Sequence, residues 1–190
     1  MTFPEPIQAW DEALLLLING AHTEFWDNAM LAISGNLIWL PIYIALLALI
    51  FHKFGWKVAI IILLSTAVVI TLCDQISVNA FKERFERLRP CKEEHLAAQL
   101  HMVKNCGGYF GFVSSHAANT FGVAVFISAL MRNWWLSIGL ILWAAVVSYS
   151  RVYLGVHYPT DVLGGALLGS IIGYIVFLFF RYGIKRSKFG

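Results

Sequence analysis

Three short clusters of side chains carry the chemistry open to this chain. The first is Lys82-Glu-Arg-Phe-Glu-Arg-Leu-Arg89-Pro90. On a helix, Lys82 and Arg89 lie two turns apart on one stripe, and Pro90 ends that helix. Two cations on one face beside apolar surroundings call for an anion. A run interleaved with Glu83, Arg84, Glu86 and Arg87 also reads as a helix face turned to water. The second cluster is Ser114-Ser115-His116. Ser114 is placed to cap a helix whose free first-turn N–H groups favour an anion, with His116 in that turn. The plainer reading is a capped helix with an incidental interfacial histidine. The third is Ser150-Arg151 followed by His157-Tyr158-Pro159-Thr160-Asp161. Pro159 suits a first helical position, which sets His157 just before a helix and Asp161 within its first turn. A carboxylate there can hold one ring nitrogen and leave the other free for attack, or simply satisfy a structural histidine.

The elements that position these groups are membrane spans. Of 190 residues, 59% are hydrophobic and 13% charged, with mean hydropathy +0.70. Soluble domains carry about a quarter charged residues. A soluble globular domain and a disordered chain are therefore excluded, and a net charge of only +3 argues against a nucleic-acid partner. Aromatics at 15% suit interface belts. The expected fold is an all-α integral membrane bundle of about five transmembrane helices, near 31–51, 58–81, 110–131, 134–153 and 162–180. Pro41 inside the first is tolerable in a membrane helix. Gly165, Gly169 and Gly173 recur at four-residue spacing, so a neighbour can approach the last span closely, within the bundle or between protomers.

Residues 1–30 hold a short apolar run bounded by Asp11, Glu12, Asn19, His22, Glu24 and Asp27. They read as an amphipathic helix on the membrane surface, without the basic start of a cleaved signal. The chain is thus one membrane-embedded domain over 1–190, with an interfacial segment at 1–30 and an outer loop at 81–110. Gly107, Gly108 and Gly111 turn that loop back toward the membrane.

Alternating spans bring all three polar clusters to one face. Charged groups near a bilayer mark function by default, and this convergence outweighs the ambiguity of each cluster. Orientation is less direct. Lys53, Lys57, Arg132, Arg181, Lys185, Arg186 and Lys188 fall on one side, and Lys82, Arg84, Arg87, Arg89, Lys92, Lys104 and Arg151 on the other. The positive-inside count is tied until some of the second set are assigned to chemistry. That assignment leaves the C-terminus cytoplasmic and the 81–110 loop outside. Cys91 and Cys106 flank this loop, and an oxidising exterior would let them pair. Cys73, inside a span, reads as a packing residue.

In order and spacing the three clusters resemble the signature of the type 2 phosphatidic acid phosphatase family of membrane lipid phosphatases. That signature is Lys, six residues, Arg-Pro; then Pro-Ser-Gly-His; then Ser-Arg, five residues, His, three residues, Asp. The first and third parts are complete here. The middle part has Val113 for Pro and Ser115 for Gly, a departure that bears on substrate preference more than on activity, because Ser115 keeps its N–H.

The resemblance implies a lipid phosphatase that needs no metal or other cofactor. His157 would attack phosphorus, Asp161 would orient it, and His116 would protonate the leaving oxygen and then activate water. Lys82, Arg89, Arg151, Ser114 and the Ser115 amide would hold the phosphoryl oxygens. The partners implied are the bilayer and a lipid substrate, with phosphatidic acid, phosphatidylglycerol phosphate, undecaprenyl diphosphate and lipid A as candidates. The expected location is a bacterial inner membrane with the site facing the periplasm. A phosphotransferase using an alcohol acceptor and a lipid-phosphate transporter without turnover are the competing functions. A vanadium-dependent haloperoxidase fits poorly with membrane spans.

Overall fold

The computed structural model describes residues 4–103 and 105–187, the last three of these by backbone alone. Lys104 and Lys188, both counted in the charge pattern, lie outside the described residues, as do the side chains of Lys185 and Arg186. The chain forms α1 (Glu5–Gly20), α2 (Glu24–Ser34), α3 (Leu40–Ile76), α4 (Glu83–Phe85), α5 (Glu94–Ala97), α6 (Ser115–Met131), α7 (Trp134–Tyr153) and α8 (Pro159–Ser187). A 3-10 turn, Leu37–Trp39, leads into α3, and a π-helical stretch, Ser77–Lys82, leads out of it. Among the described residues there is no strand beyond an isolated antiparallel bridge between Leu88 and Phe110.

The expected all-helical membrane architecture is present. Gly55, with φ 72° and ψ 163°, breaks α3 into arms at 40–54 and 56–76. Only glycine adopts that conformation cheaply, so two passages meet at this corner. Long apolar helices at Leu37–Phe85, Trp134–Tyr153 and Pro159–Ile184, with the shorter α6, complete the five passages. Several boundaries differ from those the hydropathy suggests. The first passage begins near residue 40, not 31, because α2 continues to Ser34 and stops at Gly35. The third begins at Ser115, since 110–114 form a loop. Upstream lie two helices rather than one. Thr23 separates them, its hydroxyl accepting the Trp26 N–H at 3.3 Å.

The bundle core is built where helices touch. Ile62, Val69 and Cys73 of α3 meet Ala118, Ala124, Phe126 and Ile127 of α6, Leu140 and Ala144 of α7, and Ile172 and Val176 of α8. The glycine stripe faces inward against α6. A Cβ at Gly165, Gly169 or Gly173 would collide with the carbonyl oxygens of Ser114, Ala118 and Gly122 respectively. α6 and α8 therefore pack backbone to backbone, and this close contact sets the N-termini of both helices side by side. A second core, Leu15, Leu96, Leu100, Val152 and Tyr158, seats α1 and the 88–103 segment over that end.

This packing predicts opposite outcomes for two glycines. Gly169→Ala should destabilise the protein by about 1–3 kcal/mol, because α6 and α8 must separate. Gly139→Ala on α7, where an added Cβ meets nothing within 4 Å, should stabilise by up to about 1 kcal/mol. Thermal unfolding in detergent reads both, and equal effects at the two positions would contradict the packing.

Candidate active site

The site forms where four segments end together. The N-terminus of α8 is pinned first. Pro159 has no N–H, so the first-turn donors to be satisfied are those beside it. Asp161 reaches back, its Oδ2 accepting the Tyr158 N–H at 3.1 Å, which is one half of a capping box. The same Oδ2 lies 3.3 Å from His157 Nδ1. His157 and Asp161 are both buried, at 2% and 0% exposure. The Asp161 carbonyl accepts the Ser114 N–H at 2.9 Å, tying the start of α6 to the start of α8. Gly111 is required beside them, because a Cβ there would press against Asp161 Oδ2.

The expected continuous helix from Lys82 through Arg89 does not form, and Pro90 does not end it. The helix stops at Phe85, and Glu86 takes a left-handed conformation with φ 51°. From there the backbone runs extended, with the Arg89 N–H bonded to the Tyr109 carbonyl at 2.9 Å. Lys82 and Arg89 still converge, from a helix end and from a loop. The reversal also splits the charge run. Glu83, Arg84 and Glu86 are exposed, while Arg87 turns inward and is buried.

Arg87 is the principal group the motif reasoning missed. Its Nη2 meets Asp11 Oδ2 at 2.7 Å and its Nη1 meets Asp161 Oδ1 at 2.9 Å. It also donates to Thr160 Oγ1 at 2.7 Å, and its guanidinium lies 4.0 Å from the centre of the Tyr158 ring. Asp11, one of the polar residues bounding the first apolar run, is wholly buried on the inward stripe of α1 with Leu15 and Asn19. Asn19 bonds the carbonyls of Tyr153 and His101, at 2.7 and 3.0 Å. The signal available in sequence was the four-residue spacing of Asp11, Leu15 and Asn19.

Three further cations surround His157. Arg89 donates to the carbonyls of Phe110 and Cys106, at 3.2 and 2.8 Å. Arg151, buried, donates through Nη1 to the hydroxyl of Ser34 at the end of α2, and its Nε has no partner among the described residues. Ser34 was not foreseen. Lys82 donates to the Ser115 hydroxyl at 2.7 Å, a contact that glycine at this position cannot make. Ser114 occupies the N-cap of α6, but its side chain does not cap. Its buried Oγ has no partner among the described residues.

Burial, then the charges of Arg89, Arg151 and Lys82, hold His157 well below the ordinary histidine range. Burial also lowers Arg89, with Asp161 opposing. The result is an imidazole of lowered basicity among three cations, with Arg151 Nε and Ser114 Oγ unpartnered among the described residues, an arrangement able to accept an anion.

His116 lies on α6 beside this pocket and lines a cavity of about 580 Å³. Tyr43 and Ile50 of the first arm, Leu63 and Ile70 of the second, Val123 of α6 and Trp143 of α7 also line it. Ser34, the partner of Arg151, stands on the same wall. Over the site, Cys91 and Cys106 are joined by a disulfide with Cα atoms 6.1 Å apart, and Cys73 is free and buried. The bridge encloses the carbonyl that holds Arg89.

The helices of a membrane bundle thus deliver a buried His–Asp pair and three cations to one end. A family model described as the PAP2 superfamily matches residues 54–185, and the chain belongs to that superfamily. It is 43% identical over 169 residues to the lipid A 4′-phosphatase of Bacteroides thetaiotaomicron, covering 88% of this chain and 75% of that one. It is 33% identical to the lipid A 4′-phosphatase of Porphyromonas gingivalis, over 91% of this chain and 74% of the relative. The crystal structure of a transmembrane PAP2-type phosphatidylglycerolphosphate phosphatase from Bacillus subtilis superposes with a TM-score of 0.71 at 25% identity, covering 94% of this chain and 88% of that one.

Removing the Arg87 charge leaves Asp11 and Asp161 buried without their shared partner. Arg87→Met should therefore cost about 3–5 kcal/mol of stability at neutral pH. Thermal unfolding in detergent measures it, and a loss under about 1 kcal/mol would contradict the pairing.

Proposed function

We propose that this PAP2 superfamily member is a membrane lipid phosphatase that removes a phosphate monoester from a lipid A-type glycolipid through a phosphohistidine. The observation that carries the reading is the buried, neutral His157 held at Nδ1 by Asp161 among Lys82, Arg89 and Arg151. The names of the two relatives similar over most of the chain favour lipid A over the other candidate lipids. The donor set is complementary to a phosphoryl group rather than to a divalent cation, which seeks carboxylates and carbonyls. A mostly apolar cavity of about 580 Å³ is of the size that takes a ligand's hydrocarbon, and its wall carries His116.

In this reading Asp161 fixes the proton of His157 on Nδ1, which leaves Nε2 to attack phosphorus. The phosphorus–oxygen bond to the lipid breaks as the new phosphorus–nitrogen bond forms. His116 gives its proton to the departing lipid oxygen. It then accepts a proton from water, whose oxygen attacks the phosphohistidine and releases inorganic phosphate and neutral His157. Arg89, Arg151, Lys82 and the Ser114 hydroxyl stabilise the equatorial oxygens as charge builds. The proposed location is a bacterial inner membrane with the site toward the periplasm and the C-terminus in the cytoplasm. The disulfide at the site end supports it, since such bonds persist in oxidising compartments.

The test is phosphate release in detergent, with chelator present, from lipid A, phosphatidylglycerol phosphate and undecaprenyl diphosphate. Lipid A should be preferred, and His157→Ala should lower release by at least about a thousandfold. Release that survives in His157→Ala, or is abolished by chelator, would contradict the mechanism. Wild-type release that needs an added acceptor alcohol would identify a transferase. The low-lying His157 carries a further consequence. It stays unprotonated below pH 6.5, so the acid limb of kcat/KM, corrected for ionisation of the substrate phosphate, should fall below pH 6.5. A limb at or above that value would contradict the neutral nucleophile.

A further inference from the structure

Asp11 lies outside every motif and on the first helix of the chain, yet its carboxylate is fully buried against the site. Its Oδ1 accepts the Thr160 N–H at 2.9 Å, and its Oδ2 accepts from Arg87 Nη2 at 2.7 Å and from the Thr160 hydroxyl. Thr160 in turn accepts from Arg87 Nη1, which also donates to Asp161. An unbroken set of contacts thus runs from Asp11 through Arg87 and Thr160 to Asp161, and from Asp161 to His157 Nδ1.

We propose that Asp11 is a positioning residue that sets the orientation and basicity of His157 through Arg87, Thr160 and Asp161. The proposal rests on the phosphohistidine reading above. Two physical effects support it. The first is geometric. Pro159 supplies no N–H, so the first turn of α8 depends on acceptors brought to its neighbours, and Asp11 supplies the one at Thr160 from a different helix. Releasing it frees the turn that carries Asp161. The second is electrostatic. Arg87 is shared between two carboxylates. With Asp11 neutral, the guanidinium bears on Asp161 alone, which then holds the His157 proton less strongly and stabilises a cationic phosphoimidazole less well. The charges facing His157 are already mostly positive: Lys82 before the loop, Arg89 on the loop, and Arg151 from α7, against Asp161 from α8. Tyr158 adjoins it in the chain. Asp11 adds an anion from α1, one layer further out.

The experiment uses the full chain in detergent and compares Asp11→Asn, Asp11→Glu and Thr160→Val with His157→Ala and Asp161→Asn. It measures kcat, KM and the pH dependence of kcat/KM on lipid A, with the folded fraction from thermal unfolding. Asp11→Asn should lower kcat about 10–100-fold with KM changed less than about twofold, because the phosphate donors are untouched. It should also move the acid limb to lower pH, and Asp11→Glu should restore much of kcat. Thr160→Val keeps both charges, so it should lower kcat without moving the limb.

Folded Asp11→Asn with wild-type kcat would overturn the proposal. So would a loss that merely follows the folded fraction with the limb in place. If Asp11→Asn does not fold, Thr160→Val decides, and wild-type kcat there overturns it. Activity retained in His157→Ala would remove the phosphohistidine reading and this proposal together. Inactive His157→Ala and Asp161→Asn beside an unaffected Asp11→Asn would remove this proposal alone.

Discussion

A guanidinium buried between two buried carboxylates is the constraint on which the rest of this structure depends. Asp11 and Asp161 have no exposure, and Arg87 has almost none. A buried charge left unpaired costs several kcal/mol, so burial of each of the three groups favours burial of the other two. Their assembly dictates local structure. The helix must stop at Phe85 and reverse at Glu86 so that Arg87 can point inward. α1 must fold back over the bundle to deliver Asp11, and α8 must start at Pro159 so that Thr160 and Asp161 face the same guanidinium. The glycine stripe of α8 then fixes α6 against it, which sets Ser114 beside Asp161.

Around this core, where one guanidinium faces two carboxylates, the balance of charge changes sign. Arg87 is matched by carboxylates, whereas Lys82, Arg89 and Arg151 are held chiefly by hydroxyls and carbonyls, those of Ser115, Phe110, Cys106 and Ser34. Neutral oxygens orient a cation without cancelling its field. The pocket therefore keeps a positive potential directed at His157, which adds to burial in holding that imidazole below the ordinary histidine range. The inner layer ties α1, α8 and the 86–89 segment together, and the outer layer supplies the cations that the proposed mechanism assigns to the phosphoryl oxygens.

The sequence was most legible where physics acts locally. Five passages followed from apolar run lengths, and the three polar clusters from fixed spacing and alternation of sides. Gly165, Gly169 and Gly173 announced a close approach, although only the packing revealed α6 as the neighbour. What stayed hidden was non-local. Arg87 and Asp11 are 76 residues apart, and each sits in a stretch whose composition reads as solvated. No periodicity marks one arginine of a charged run as buried. The left-handed turn at Glu86 has no glycine or asparagine to betray it. Ser34, which bonds Arg151, is likewise an ordinary helix-end serine until α2 meets α7. Ser115, where the family signature has glycine, reads in the sequence as a departure bearing on substrate preference, and in three dimensions its hydroxyl accepts from Lys82.

In the proposed mechanism the Asp161 contact at Nδ1 of His157 leaves Nε2 as the attacking atom. The most direct measurement is to quench turnover of a phosphate-labelled lipid in base, where phosphohistidine survives, and to map the label by mass spectrometry and phosphorus NMR. Label is expected on His157, bonded to Nε2, with none in His157→Ala. Label on His116, on a serine, or on Nδ1 of His157 would contradict it.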